Sequence, residues 1–218
     1  MNPEDKNYPL NEETRNRYGV AAYPAVLFVS SDGGLIQKAS GFLTPEQFSP
    51  IMQDALAKEE VFSKKLDELK KKPDDAKLNA QVALTYLERN QLDKGVSFSE
   101  KAFAHDPKNR TKLIPDLHNQ LGLAYGALVE AAMLANTEEA ETHFEKAVSH
   151  FKTVIDTYPK SKAHEPAQYY LGVTYAIKGN FEDAIAVLEK LSRHAKDENI
   201  RQNAEVMLER VKDLASSN

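Results

Sequence analysis

Cysteine is missing from this 218-residue chain, and so is tryptophan. Without a thiol there are no disulfides, no thiolate metal sites and no thiol catalysis within it. Long apolar runs are missing too, none approaching the ~18 residues that a membrane-spanning helix needs. The opening residues, MNPEDKNYPL, have neither a basic nor an apolar stretch, so no secretory signal is expected. Positive charge is in deficit, with 28 Lys and Arg against 33 Asp and Glu and a formal net charge of −5. That balance counts against nucleic acid as a partner, because phosphate binding needs a basic face. The motifs GxGxxG, GxxxxGK[ST] and GxSxG do not occur, so nothing points to nucleotide or hydrolase chemistry.

What is present divides into two parts. In residues 1–57 the segment PAVLFVSS (Pro24 to Ser31) reads as a short buried strand, and SDGG (Ser31 to Gly34) as a tight turn. LIQKASG (Leu35 to Gly41) reads as the returning antiparallel strand. Thr44, Pro45 and Glu46 then form an N-cap, a proline at the first helical position and an acidic first turn. The helix they open carries an apolar face of Phe48, Ile51, Met52, Ala55 and Leu56. With a first helix over about Asn11 to Arg17, the order is helix, strand, strand, helix. Residues 58–74, which include EEVFSKKLDELKKKP, read as a charged connecting helix that stops at Pro73.

From residue 75 to 218 the chain repeats itself and shows no strand signal. Three segments align, beginning VALTYLERNQ, LGLAYGALVE and LGVTYAIKGN. Each places a tyrosine three residues after its first small residue: Tyr86 after Ala83, Tyr125 after Gly122 and Tyr175 after Gly172. A small residue follows in the next helix (Gly95, Ala147, Ala184), and prolines close two of the segments (Pro107, Pro159). Small residues let paired helices approach, and the tyrosine fills the space above them. Spacing is uneven, with 39 residues from Tyr86 to Tyr125 and 50 from Tyr125 to Tyr175. The surplus predicts two extended helices in the middle unit, with Asn136 and Glu139 forming a capping box that starts the second of them. Asn199 to Leu214 is predicted to be a terminal capping helix.

This pattern resembles the tetratricopeptide repeat, a helix–turn–helix unit with a period of about 34 residues. The resemblance implies a mostly α fold, a solenoid of helical hairpins. The first helix of each unit would line a concave face that binds a protein or peptide partner. On this chain those positions are Ala80, Leu84, Leu87 and Glu88, then Asn119, Leu123 and Ala127, then Tyr169, Val173 and Ile177. Chaperone-binding members use Lys and Asn clamps for a terminal carboxylate. Here those slots hold Ala80, Leu84 and similar residues, which implies an apolar groove instead. The wording YPKS…YYLG in the third unit is similar to repeats of bacterial cell-envelope proteins, which favours a periplasmic setting over a cytoplasmic one.

The first part, RYGVAAYPAVLFVSSDGGLIQKASGFLTPEQF, resembles the C-terminal half of a thioredoxin fold. The resemblance implies a small α+β (αββα) segment in which Pro24 is a cis-proline and Tyr23 offers backbone groups to an extended peptide. Gly41 would precede the last helix. The family's dithiol lies in the half of the fold that precedes this one, MNPED standing about where the third strand ends. The chain as given is therefore expected to be non-catalytic: a protein-interaction scaffold. The alternative is the C-terminal part of a thioredoxin-like oxidoreductase, or of a chaperedoxin-like holdase. The missing half would leave one side of the Pro24 strand open, so a homodimer through residues 24–30 is expected. No cofactor is implied. As to metal, His143 and His150 stand two helical turns apart, and Glu139 with His143 supplies only two ligands.

Overall fold

The computed structural model describes residues 9–217. It is mostly helical, with one two-stranded antiparallel sheet. The first segment contains α1 (Pro9–Arg17), β1 (Ala25–Val29) and β2 (Leu35–Ser40). The part of the expected first segment at residues 1–8 lies outside the described residues. Ser30 and Gly33–Gly34 close the turn: Ser30 N–H donates to the Gly34 carbonyl at 2.9 Å, and Gly33 sits at φ 85°. The Tyr23–Pro24 peptide bond is cis, the geometry that the resemblance implied there.

Next comes α2 (Pro45–Lys71). Thr44 caps it reciprocally: its hydroxyl accepts from Gln47 N–H, and the Gln47 side chain accepts from Thr44 N–H. Sequence reading divided this stretch near residue 57, but α2 runs through without a break. No glycine or proline interrupts residues 51–72, so the apolar stripe simply passes from one neighbour to the next. Phe48, stacked on Phe28 of β1 at 5.9 Å, marks the sheet-facing end, and Phe62 and Leu69 the repeat-facing end. The expected apolar face is only partly covered. Ala55 is buried, whereas Met52 and Leu56 stay exposed because a two-stranded sheet is too narrow to reach them.

The remaining helices are α3 (Ala76–Glu88), α4 (Leu92–His105), α5 (Ile114–Leu134), α6 (Glu139–Thr157), α7 (His164–Lys178), α8 (Phe181–His194) and α9 (Glu198–Ser217). Each odd-numbered helix from α3 to α7 packs on its even successor, while α3, α5, α7 and α9 touch in sequence as one layer. The tyrosines sit as expected, all three buried, with Tyr86 wedged between Phe62 at 5.1 Å and Phe98 at 5.5 Å. α5 and α6 are the extended pair, with 21 and 19 residues.

Asn136 corrects one expectation. It does not cap α6. It adopts φ 53° and ends α5, while Thr137 N–H donates back to the Ala132 carbonyl at 3.0 Å. Asn90 after α3 and Gly179 after α7 do the same, through Gln91 N–H to Tyr86 O and Asn180 N–H to Tyr175 O, each at 2.9 Å. These are left-handed helix terminations, which asparagine and glycine tolerate best. The same stop therefore recurs in all three units, and in the middle one it is delayed by seven residues, two helical turns.

The hairpin is fastened to the repeats at its turn. Asp32 pairs with Lys94 at 2.5 Å, Gln91 Nε2 donates to the Asp32 carbonyl, and Leu35 N–H donates to the Arg89 carbonyl at 3.2 Å. The Lys94 ammonium, followed by the Ser30 hydroxyl, holds the Asp32 carboxyl well below the usual range. Arg89 is itself buried, stacked 4.3 Å over Phe62 and paired with Glu59 at 2.7 Å.

Candidate functional site

A groove opens where α3 and α5 lie side by side. Its floor follows helical spacing: Leu87 on α3, with Leu123, Ala124, Ala127 and Leu128 on α5, joined by Leu92 at the start of α4. Positions 123, 124, 127 and 128 recur at the three- and four-residue intervals of one helix face. Glu88, Asn90 and Gln120 supply a polar rim, and Asn16 and Arg17 of α1 reach its mouth. The cavity holds about 500 Å³. An apolar floor with a few polar groups around it suits a side chain or a short segment of a partner.

The residues anticipated from sequence divide unevenly over this geometry. Leu87, Glu88, Leu123 and Ala127 come together in the groove. Ala80 does not: at 0% exposure it is locked among Ala83, Ala102, Ile114 and Leu117, because α3 turns that face onto α4 and α5. Leu84 packs on the same cluster. Asn119 is also buried, its Oδ1 without a hydrogen-bond partner among the described residues. Tyr169, Val173 and Ile177 lie half-buried on α7, outside the groove. α9 packs against α7, and Tyr169 stands edge-on to Tyr170 at 5.2 Å. Burial raises the Tyr169 hydroxyl above its ordinary pKa.

At the hairpin, Tyr23 is exposed and Pro24 half-buried. The Pro24 carbonyl accepts from Gly41 N–H at 2.8 Å, which sets the register that pairs Ala25 with Ser40 and Val26 with Ala39. In an antiparallel ladder only alternate residues bond to a given neighbour. Pro24, Val26 and Phe28 therefore face β2, and Ala25 and Leu27 turn their N–H and C=O groups outward. No strand among the described residues meets that edge.

A third feature escaped sequence reading. His118 on α5 and His150 on α6 bring their Nδ1 atoms to 3.0 Å. One ring must donate and the other accept, so the accepting ring is neutral. His118 stacks on Phe103 at 4.4 Å, and His150 stacks on Tyr125 at 5.8 Å. Burial, aided by the His150 charge, pushes His118 down to about 4; burial, aided by Lys146, does the same to His150. Thirty-two residues separate the two, and only the packing of α5 on α6 joins them. His143 stacks on Tyr125, at 6.1 Å, and pairs with Glu139 at 3.9 Å. Among the described residues no group of three or more His, Asp or Glu converges as a metal site would.

No family model, no curated protein and no solved structure matches the chain. Among the described residues, no helix is long and apolar enough to cross a membrane.

Proposed function

We propose that this chain is a protein-interaction scaffold of tetratricopeptide type that holds a partner segment in the groove between α3 and α5. The observation that carries this reading is the continuous apolar floor of Leu87, Leu123, Ala127 and Leu128 beneath a polar rim. Support comes from the recurring helix pairs, the buried tyrosines and the shared left-handed stops. A displayed library of random peptides supplies the test. Binders selected on the native protein should lose about tenfold or more in affinity when Leu123 and Ala127 are both changed to glutamate, which charges the floor. The circular-dichroism melting curve should stay near native, since Ala127 is exposed and Leu123 only half-buried. Undiminished binding by a folded Leu123→Glu, Ala127→Glu variant would overturn the reading.

The hairpin segment is proposed to be the C-terminal half of a thioredoxin-like fold, with the outward edge of β1 as its assembly surface. A second copy of the chain is the occupant we favour there, since β1 carries no charged residue to discourage pairing. The alternative, a thioredoxin-like oxidoreductase or holdase whose catalytic half covers that edge, draws support from the same outward groups. An in-frame Cys-x-x-Cys strand–helix unit encoded upstream of Met1 would favour the alternative, and its absence the scaffold.

A further inference from the structure

The chain is acidic as a whole, yet one edge of the helical array is not. Where even-numbered helices end and odd-numbered ones begin, the loops carry exposed cations, among them Lys108, Arg110 and Lys112 before α5, and Lys160 and Lys162 before α7. None of these five forms an ion pair among the described residues. Two carboxylates near these cations, Asp106 at the end of α4 and Glu165 in the first turn of α7, are engaged in holding backbone. Asp106 accepts from Arg110 N–H at 2.7 Å and Thr111 N–H at 2.8 Å, and Glu165 accepts from Lys196 and Asp197 N–H at 2.9 and 3.0 Å.

Between the α4–α5 and α6–α7 loops these cations rim a cavity of about 610 Å³. Its apolar lining is Pro115, Tyr158 and Pro159; Lys112, Lys160 and Lys162 stand around it. The Ser161 hydroxyl, also in the lining, is buried and has no hydrogen-bond partner among the described residues. Asp116 is the one carboxylate in the lining, leaving a formal surplus of two positive charges there.

We propose that this cavity docks an acidic peptide segment of a protein partner, seating one aromatic or aliphatic side chain on Pro115 and Tyr158 with flanking carboxylates on Lys112, Lys160 and Lys162. The site lies away from the α3–α5 groove and shares no lining residue with it, so it stands independently of that reading. Shape selects the peptide over an anionic membrane. A membrane-binding edge projects large apolar side chains between its cations, whereas here Pro115 is buried and Tyr158 half-buried, and only the small ring of Pro159 is exposed. Charge selects the sign of the ligand, because the protein as a whole repels acidic chains and attracts them only where its own carboxylates are spent on loops.

The test uses the full chain and a fluorescein-labelled peptide of alternating Asp and Glu around a single Phe, read by anisotropy. Binding is expected to weaken by about tenfold in the Lys112→Glu, Lys160→Glu variant and to fall as salt shortens the ~10 Å screening length. A Lys71→Glu, Lys72→Glu control changes net charge equally but touches no part of the cavity, and should bind like native protein. Amide resonances of Tyr158 and Ser161 should shift on titration. Equal loss in the control would reduce the effect to net charge and overturn the proposal, as would native-like binding by the cavity variant. Sedimentation with phosphatidylglycerol vesicles, without binding of the peptide, would assign the edge to a membrane and also overturn it.

Discussion

Two glycines on one face of α5 show how narrowly single residues are constrained. A Cβ added at Gly122 would lie 2.6 Å from the ring of Phe151, which is 0% exposed and has nowhere to move. A Cβ at Gly126, one turn on, would meet only the Thr174 hydroxyl at 3.4 Å. Alanine gains up to about 1 kcal/mol over glycine in a helix, while overpacking a rigid core costs about 1–3 kcal/mol. Gly126→Ala is therefore expected to be neutral or stabilising, because only the first effect operates. Gly122→Ala is expected to be destabilising by about 1–2 kcal/mol, because the second outweighs the first. Urea midpoints of the two variants against native protein decide the matter. If they move together, the α5–α6 contact is looser than this geometry.

At the scale of elements, the α5–α6 pair is sensitive to protons. In the unfolded chain His118 and His150 titrate near 6.5, and in the folded chain near 4. Between those values the unfolded state holds more protons, so stability is fully present above about 6.5 and declines as pH falls toward 4. Replacing both residues by glutamine removes the titration and leaves groups able to bond to each other. The native urea midpoint should then drop more between pH 7.5 and pH 5 than that of the His118→Gln, His150→Gln variant. Superimposable profiles would mean that the folded pair accepts charge freely.

The sequence announced much of this architecture, but not that pair. The strand–turn–strand unit was legible because Ser31 to Gly34 is strong turn chemistry between apolar runs, and the helix pairs because Gly122 and Gly172 recur beside tyrosines. Pairing His118 with His150 requires knowing the rotation of α5 against α6, which no local pattern carries. Asn136 misled for a local reason. An asparagine three residues before Glu139 fits a helix start, and the same asparagine fits a left-handed helix stop equally well. Ala80 was misplaced because likeness to a repeat family assigns a helix face without saying whether a second helix already covers it.

For the whole molecule the open question of state rests on the outward edge of β1. If two copies join antiparallel about Leu27, each Leu27 opposes its counterpart and each Ala25 opposes Val29, which extends two hairpins into one four-stranded sheet. Within a chain, Leu27 stands opposite Lys38 across the β1–β2 ladder, as a pair without mutual hydrogen bonds. A glutamate at position 27 would thus face an ammonium inside its own hairpin, a favourable cross-strand arrangement. In the dimer it would face an identical glutamate, an unfavourable one. Leu27→Glu therefore separates assembly from folding. Light scattering coupled to size exclusion is expected to give a dimer for the native chain and a monomer for the variant, with the hairpin amides still protected from exchange in both. A native monomer with the same protection would show that the edge needs no second copy, and would overturn the proposed pairing.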